Sequence, residues 1–157
     1  MRWKFHVRCE AGEKLEIISN SYLSLLIKDI IYKFKYSKKA SVGRALGYLM
    51  AKYILENIED YKNIDYITPV PIHKNRMRTR GFNQSYILAK EISKYINIPV
   101  IPDLLLRTKN TKAQSGLTPI GRENNIRGAF VFNKNYNIYE KNIAIVDDIY
   151  TTGSTIN

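Results

Sequence analysis

Ile143-Ala144-Ile145-Val146-Asp147-Asp148-Ile149-Tyr150-Thr151-Thr152-Gly153-Ser154-Thr155 runs from an apolar tetrad into a pair of acids and then into a glycine-centred group of hydroxyls. A short unbroken apolar run of this kind reads as a strand buried on both faces. Asp147 and Asp148 follow where the chain leaves the sheet, and adjacent carboxylates repel unless they meet water, a metal or hydroxyl donors. The vicinal hydroxyls of a ribose suit such a pair, because each donates to a carboxylate oxygen, and a Mg²⁺ nearby relieves the repulsion. Gly153 permits positive φ and close backbone approach. Successive N–H groups and the hydroxyls of Thr151, Thr152, Ser154 and Thr155 then form a concave anion site. Carboxylates for a ribose, followed by a nest for its 5′-phosphate, make a ribose-5-phosphate site. Singly, Asp, Thr, Ser and Gly are turn formers; their order behind a buried strand carries the reading.

Upstream, other short apolar segments alternate with helical patterns. Leu23, Leu26, Ile27, Ile30, Ile31 and Phe34 recur at helical spacing over 22–34. Ser41 is placed to cap a second helix, with Val42, Leu46, Leu49, Met50, Tyr53 and Ile54 on one face. Residues 64–71 form a β-rich run closed by Pro69 and Pro71, a strand entering a rigid loop. Asn83 is a cap for a third helix whose Ile87, Leu88, Ile92 and Tyr95 or Ile96 face inward, ending at Asn97 and Pro99. Residues 100–106 read as a strand weakened at Pro102, 107–117 as a polar loop, Thr118-Pro119 as the start of a short helix ended by Gly128, and 129–132 as a further strand. The alternation implies an α/β fold, a parallel sheet with helices on both faces. Ligands of such sheets bind beyond the carboxyl ends of the strands, so the loops after Thr68, Leu106 and Val146 are expected to share one rim.

At 157 residues, with 45% hydrophobic and 25% charged residues, the chain fits one soluble domain. Residues 1–60 are expected to form an N-terminal helical segment packing on a core of 61–157. No membrane span is expected, because Lys28, Asp29 and Lys33 interrupt the longest apolar stretch. The N-terminus shows no secretion signal. A single cysteine, Cys9, forms no internal disulfide and suits a reducing cytoplasm.

Lys and Arg number 25 against 14 Asp and Glu, a net charge of +11. Such an excess attracts polyanions, although Lys is also a common choice for plain solubility. Two clusters are more local. Residues 73–81 hold Lys74, Arg76, Arg78 and Arg80 and no acid; their alternate spacing does not fit one side of a helix, so an extended loop is expected, either tracking a phosphate backbone or simply solvated. Lys33, Phe34, Lys35 and Tyr36 offer cations and stacking groups of the kind single strands use, while Phe34 also fits the core face.

The 143–155 run resembles the phosphoribosyl pyrophosphate (PRPP) signature of the type I phosphoribosyltransferases. Thr68-Pro69-Val70-Pro71-Ile72-His73, Arg80-Gly81-Phe82-Asn83-Gln84, Gln114-Ser115-Gly116-Leu117, Arg122 and Arg127-Gly128-Ala129-Phe130 are similar to the ComF family of competence proteins. That resemblance implies a phosphoribosyltransferase-like fold in a cytoplasmic protein of DNA uptake during natural transformation. It implies single-stranded DNA as a ligand, and competence helicase and recombination factors as partners. It also implies PRPP or another sugar phosphate, with Mg²⁺, at Asp147, Asp148, Thr151, Thr152, Gly153, Ser154 and Thr155. Pyrophosphate or nucleic-acid contacts would come from His73, Lys74, Arg76, Arg78 and Arg80. Arg107, Lys109, Lys112 and Gln114 stand where the superfamily carries its flexible catalytic loop, which supplies charge to a leaving pyrophosphate.

Three departures accompany the likeness. Family members commonly begin with a four-cysteine zinc module, and with Cys9 alone no zinc site is expected in this chain. In the superfamily the PRPP loop opens a helix and a further strand follows, whereas this sequence ends two residues after Thr155, as in a fold truncated after the PRPP loop. Purine-salvage enzymes place an Asp where Thr151 stands, which argues against a 6-oxopurine acceptor. Two functions fit: a DNA-binding transformation factor with a sugar-phosphate loop, or an active Mg²⁺-dependent phosphoribosyltransferase, a glycosyltransferase of nucleotide metabolism. Against the second stand the lack of an evident acceptor base or of an amidotransferase cysteine.

Overall fold

The computed structural model describes the backbone of 3–7 and residues 40–111, 118, 121, 124, 125 and 127–147. In chain order these form β1 (Trp3–Val7), α1 (Ala40–Asn57), a 3₁₀ turn (Glu59–Asn63), β2 (Tyr66–Pro69), α2 (Lys74–Arg80), α3 (Gln84–Ile96), β3 (Leu105–Arg107), β4 (Phe130–Phe132) and β5 (Ile143–Val146). The α/β class and the parallel sheet expected from the sequence are present. The helix expected over 22–34 lies outside the described residues.

β5 is the centre of the main sheet. All its side chains are buried, and it pairs in parallel with β1 on one side and β2 on the other, Val7 and Pro69 both standing opposite Val146. Ile67 then bridges in parallel to Val100, with its N–H donating to Pro99 O at 2.9 Å and its carbonyl accepting from Ile101 N at 2.8 Å, which adds a fourth position beside β2. β1 was not foreseen: WKFHV has strand composition, but it sits in a short, charged N-terminal stretch without a pattern long enough to read.

Side chains alternate across the pleat. Ile67, Ala144 and Val146 face α1 and α3, joining Met50, Ala51, Ile54, Leu88, Ala89 and Ile92 in the main core. Ile143 faces the other way, onto Leu104 and Ile138, with Tyr66, Ile101, Phe132 and Tyr136 partly buried around them. Each fully buried aliphatic side chain here contributes about 1.5–3 kcal/mol.

Four expectations are corrected. α1 already includes Ser41, so that residue is not its cap. Its buried row is Gly43, Gly47, Met50, Ala51 and Ile54, while Leu49 and Tyr53 are 59% and 61% exposed; the small residues turn toward α3 because they let the helices close. Residues 100–106 are not one strand: the chain turns at Pro102 and Asp103, and β3 leaves the parallel sheet to pair antiparallel with β4. The 129–132 strand is accordingly in this separate two-stranded ribbon, closed by Tyr136 Oη donating to Asp103 Oδ1 at 2.5 Å. Tyr95 is exposed and Ile96 is the buried member of that pair.

Gly47 marks the closest approach of α1 and α3. A Cβ there would lie 2.6 Å from Glu91 Cβ and 3.3 Å from the Leu88 carbonyl. Neither atom can swing away, because one is fixed to the backbone and the other is backbone. Gly47→Ala gains about 1 kcal/mol of helix propensity but overpacks the interface by about 1–3 kcal/mol. We expect a net loss, read as a lower denaturant midpoint at unchanged slope. Asp65 ties the amino ends of β2 and β5 together, accepting from Asn142 N at 2.7 Å and Lys141 Nζ at 3.2 Å. The Asn142 N–H, and secondarily Lys141, hold its carboxyl below the ordinary carboxylate range. A depressed folded value contributes stability that is present above the unfolded value, about 4, and is lost as the pH falls through the folded one. Asp65→Asn should therefore flatten the acid limb of a stability-versus-pH curve and leave the neutral-to-basic limb parallel to wild type.

Candidate phosphate and nucleic-acid site

The strands of the main sheet end together. Val70 N donates to Val146 O at 2.9 Å, so the chain leaving β2 is hydrogen-bonded to the last residue of β5, directly before Asp147. Asp147 is half-buried at this edge. Asp148, Thr151, Thr152, Gly153, Ser154 and Thr155 lie outside the described residues.

The segment after β2 is held from below by Asn83. Its Oδ1 accepts from Ser85 N at 3.1 Å, capping α3 as the sequence suggested, and its buried Nδ2 donates to Val70 O at 3.0 Å. One side chain thus starts α3 and fixes the loop that meets β5. Only the first of these roles carries a sequence signal.

The run 74–80 is a helix, not an extended loop. Lys, Arg and Met are good helix formers and no Gly or Pro interrupts them. His73 Nδ1 accepts from Asn75 N at 3.3 Å as an N-cap, and Gly81, at φ 85°, closes the helix with its N–H on Met77 O at 2.8 Å. His73 therefore spends Nδ1 on the cap and keeps Nε2 for other contacts. The helical phase divides the cations. Arg76 and Arg80 are half-buried: Arg76 Nη2 donates to Thr111 O at 3.0 Å and Arg80 Nη1 to Gln84 Oε1 at 3.2 Å. Lys74 and Arg78 lie on the exposed side.

Arg107 is the last residue of β3 rather than the first of a mobile loop, because its backbone pairs with Phe130. Its guanidinium lies 5.3 Å from the Phe130 ring centroid, and its Nη2 donates to Thr111 Oγ1. Burial, and then the charge of Arg76, push it below the ordinary arginine range, while Asp147 acts in the opposite direction. Arg76 and Asp147 are thus both within electrostatic reach of Arg107, and Thr111 accepts from both arginines. Among the described residues, Arg107 Nε and, near the end of β2, Thr68 Oγ1 are buried without a hydrogen-bond partner. Thr111 was missed, since nothing distinguishes a threonine in a polar stretch before the fold is known. Lys109 is exposed and donates to Arg127 O at 3.1 Å, tying the ribbon's ends; Lys112 and Gln114 lie outside the described residues.

The shared rim expected from the sequence is therefore present for β2 and β5, and Arg107 brings the β3 end to it. Its described part is Arg107, hydrogen-bonded with Arg76 to Thr111 and under the opposite charge of Asp147, a combination that suits a ligand carrying both hydroxyls and phosphate. Among the described residues, no group of three or more His, Cys, Asp or Glu could hold a metal ion, and no helix is long and apolar enough to cross a membrane.

No protein-family model matches the chain, and no solved structure matches it either. Curated relatives do. Competence protein F of Haemophilus influenzae is 32% identical over 149 residues, covering 92% of this chain and 64% of that protein. DNA utilization protein YhgH of Escherichia coli K12 is 29% identical over 132 residues, 83% of this chain and 57% of that protein. Competence protein ComFC of Bacillus subtilis is 28% identical over 133 residues, 84% of this chain and 51% of that protein. The chain thus spans between about half and two thirds of the length of these relatives. The matches run through most of this chain's own length and support a place among the ComF-type competence proteins.

Proposed function

We propose that this protein serves DNA uptake by binding single-stranded DNA on the cytoplasmic side, and that its 147–155 loop holds a ribose 5-phosphate or PRPP. The names of its relatives, competence and DNA utilization proteins, support the biological role. The observation that carries the ligand reading is Asp147, delivered by a fully buried strand to an edge where its charge acts on Arg107, which Arg76 also neighbours. In that reading Asp147 and Asp148 receive the ribose hydroxyls, the hydroxyls and amides of 151–155 receive the 5′-phosphate, and the arginines face the pyrophosphate. Mg²⁺ would be held by the acids together with the ligand's own oxygens and would neutralise charge between them. The arginine pair, with Arg107 under the charge of Asp147, also favours a second reading, a working phosphoribosyltransferase in which cationic groups stabilise the departing pyrophosphate.

A titration of the protein with PRPP, Mg²⁺ and an oligonucleotide, singly and together, tests both. Oligonucleotide affinity should fall steeply with salt and survive the double change Asp147→Asn, Asp148→Asn, which should abolish PRPP binding. Affinity that ignores salt would overturn the DNA reading; PRPP binding that survives the double change would overturn the loop assignment. Pyrophosphate release with any added base, lost in the double variant, would establish the enzyme reading.

A further inference from the structure

We infer that the outward face of α2, formed by Lys74, Met77 and Arg78, is the surface that grips a single-stranded nucleic-acid backbone. The inference rests on the DNA-binding reading above and assigns it to a place. The sequence alone offers four alternating cations as equivalents. The helix makes them unequal: Arg76 and Arg80 turn inward and donate to Thr111 and Gln84, so their donors are partly committed to the protein. Lys74 and Arg78 are one helical turn apart, exposed, and make no hydrogen bond or ion pair among the described residues. No acidic residue occurs between Asp65 and Glu91, so the chain itself offers no local carboxylate to neutralise them.

Met77, three residues after Lys74, is 43% exposed. Residues at i, i+3 and i+4 are neighbours on a helix surface, with Cβ atoms about 5–6 Å apart, so Lys74 stands next to both Met77 and Arg78. Two cations with a flexible apolar side chain beside one of them match a strand that offers phosphates and an unstacked base together. A duplex hides its base faces, and a lipid headgroup layer offers none. The helix is anchored at both ends, by the His73 cap and by Gly81, so its charges are presented from a fixed support.

Each phosphate contact on a single strand contributes about 0.7 to the log–log salt slope. Replacing both cations should lower the slope by about 1.4, equivalent to about 25-fold weaker binding at 0.1 M salt. The experiment is fluorescence anisotropy of a labelled oligothymidylate across a salt series, comparing wild type, the pair Lys74→Gln with Arg78→Gln, and the charge-matched pair Lys62→Gln with Lys134→Gln. Lys62 and Lys134 are also exposed, but Lys62 precedes the amino end of β2, and Lys134 follows β4, whose Phe132 pairs with Leu105 at the end of the ribbon opposite Arg107. The α2 pair should show the reduced slope and the control pair the wild-type slope, both with wild-type thermal melting. Met77→Ala should weaken oligothymidylate binding several-fold without changing the slope. If the α2 pair failed to fold, Lys74→Arg with Arg78→Lys, which keeps both charges, should retain the wild-type slope. Equal losses in both pairs, or a wild-type slope in the α2 pair, would overturn the assignment while leaving DNA binding itself intact. Wild-type protein that shows no salt-dependent binding would overturn both. Anionic phosphatidylserine vesicles that displace the oligonucleotide and depend equally on Lys74 and Arg78 would make the face a membrane contact and also overturn it.

Discussion

The structure depends on β5 being paired on both edges and buried on both faces. A strand so placed has no register freedom, because a slip by one residue would exchange Ala144 and Val146, which meet the helices, with Ile143, which meets the Leu104 cluster. Its carboxyl end is therefore a fixed point. The Val70–Val146 hydrogen bond extends that fixity to the loop after β2. Whatever Asp147 and the residues beyond it bind, the place at which they leave the sheet is set by hydrophobic burial, not by the ligand.

Around this point the polar contacts form a chain. Asn83 ties the cap of α3 to Val70, Val70 ties to β5, Arg80 ties α2 to Gln84, and Arg76 and Arg107 meet at Thr111. Buried polar side chains carry a desolvation cost unless they are hydrogen-bonded, so Asn83 and Gln84, both buried, are costly in any arrangement other than this one. The Arg-Gly-Phe-Asn-Gln block is thus structural at three of its positions: Gly81 stops α2, Asn83 starts α3, and Gln84 accepts from Arg80. A block that looks diagnostic of a function is, in physical terms, the joint between two helices beside the rim.

What was legible in the sequence divides by the range of the signal. The β5 strand, the Asn83 cap and the Asn97 terminus are local, and each is readable from a few residues. The phase of 74–80 was misread because the positions of the charges were weighed and the helix propensities were not. The exposure of Leu49 and Tyr53 was hidden because the choice of buried face depends on Gly43 and Gly47 meeting a second helix, which is information the α1 segment does not contain. The pairing of β3 with β4, and the meeting of Arg107 with Arg76 and Asp147, join residues far apart in the chain; no spacing rule announces them.

The electrostatics of the rim follow from the same packing. Arg107 loses hydration where β3 and β4 press its guanidinium against Phe130, and Arg76 beside it adds repulsion. Thr111 and Phe130 offset part of that cost with a hydrogen bond and a ring face, and Asp147 offsets part with opposite charge. Among the described residues the Arg107 Nε–H still has no acceptor. Arg76 and Arg107 both donate to Thr111 and repel each other, so in the ligand reading proposed above each phosphate oxygen that arrives would relieve a repulsion already present. In the proposed reading, a strongly basic chain that nonetheless places an acid at this edge would separate two tasks: general attraction of a polyanion over its surface, and a local balance of charge that favours a ligand bearing hydroxyls beside its phosphates.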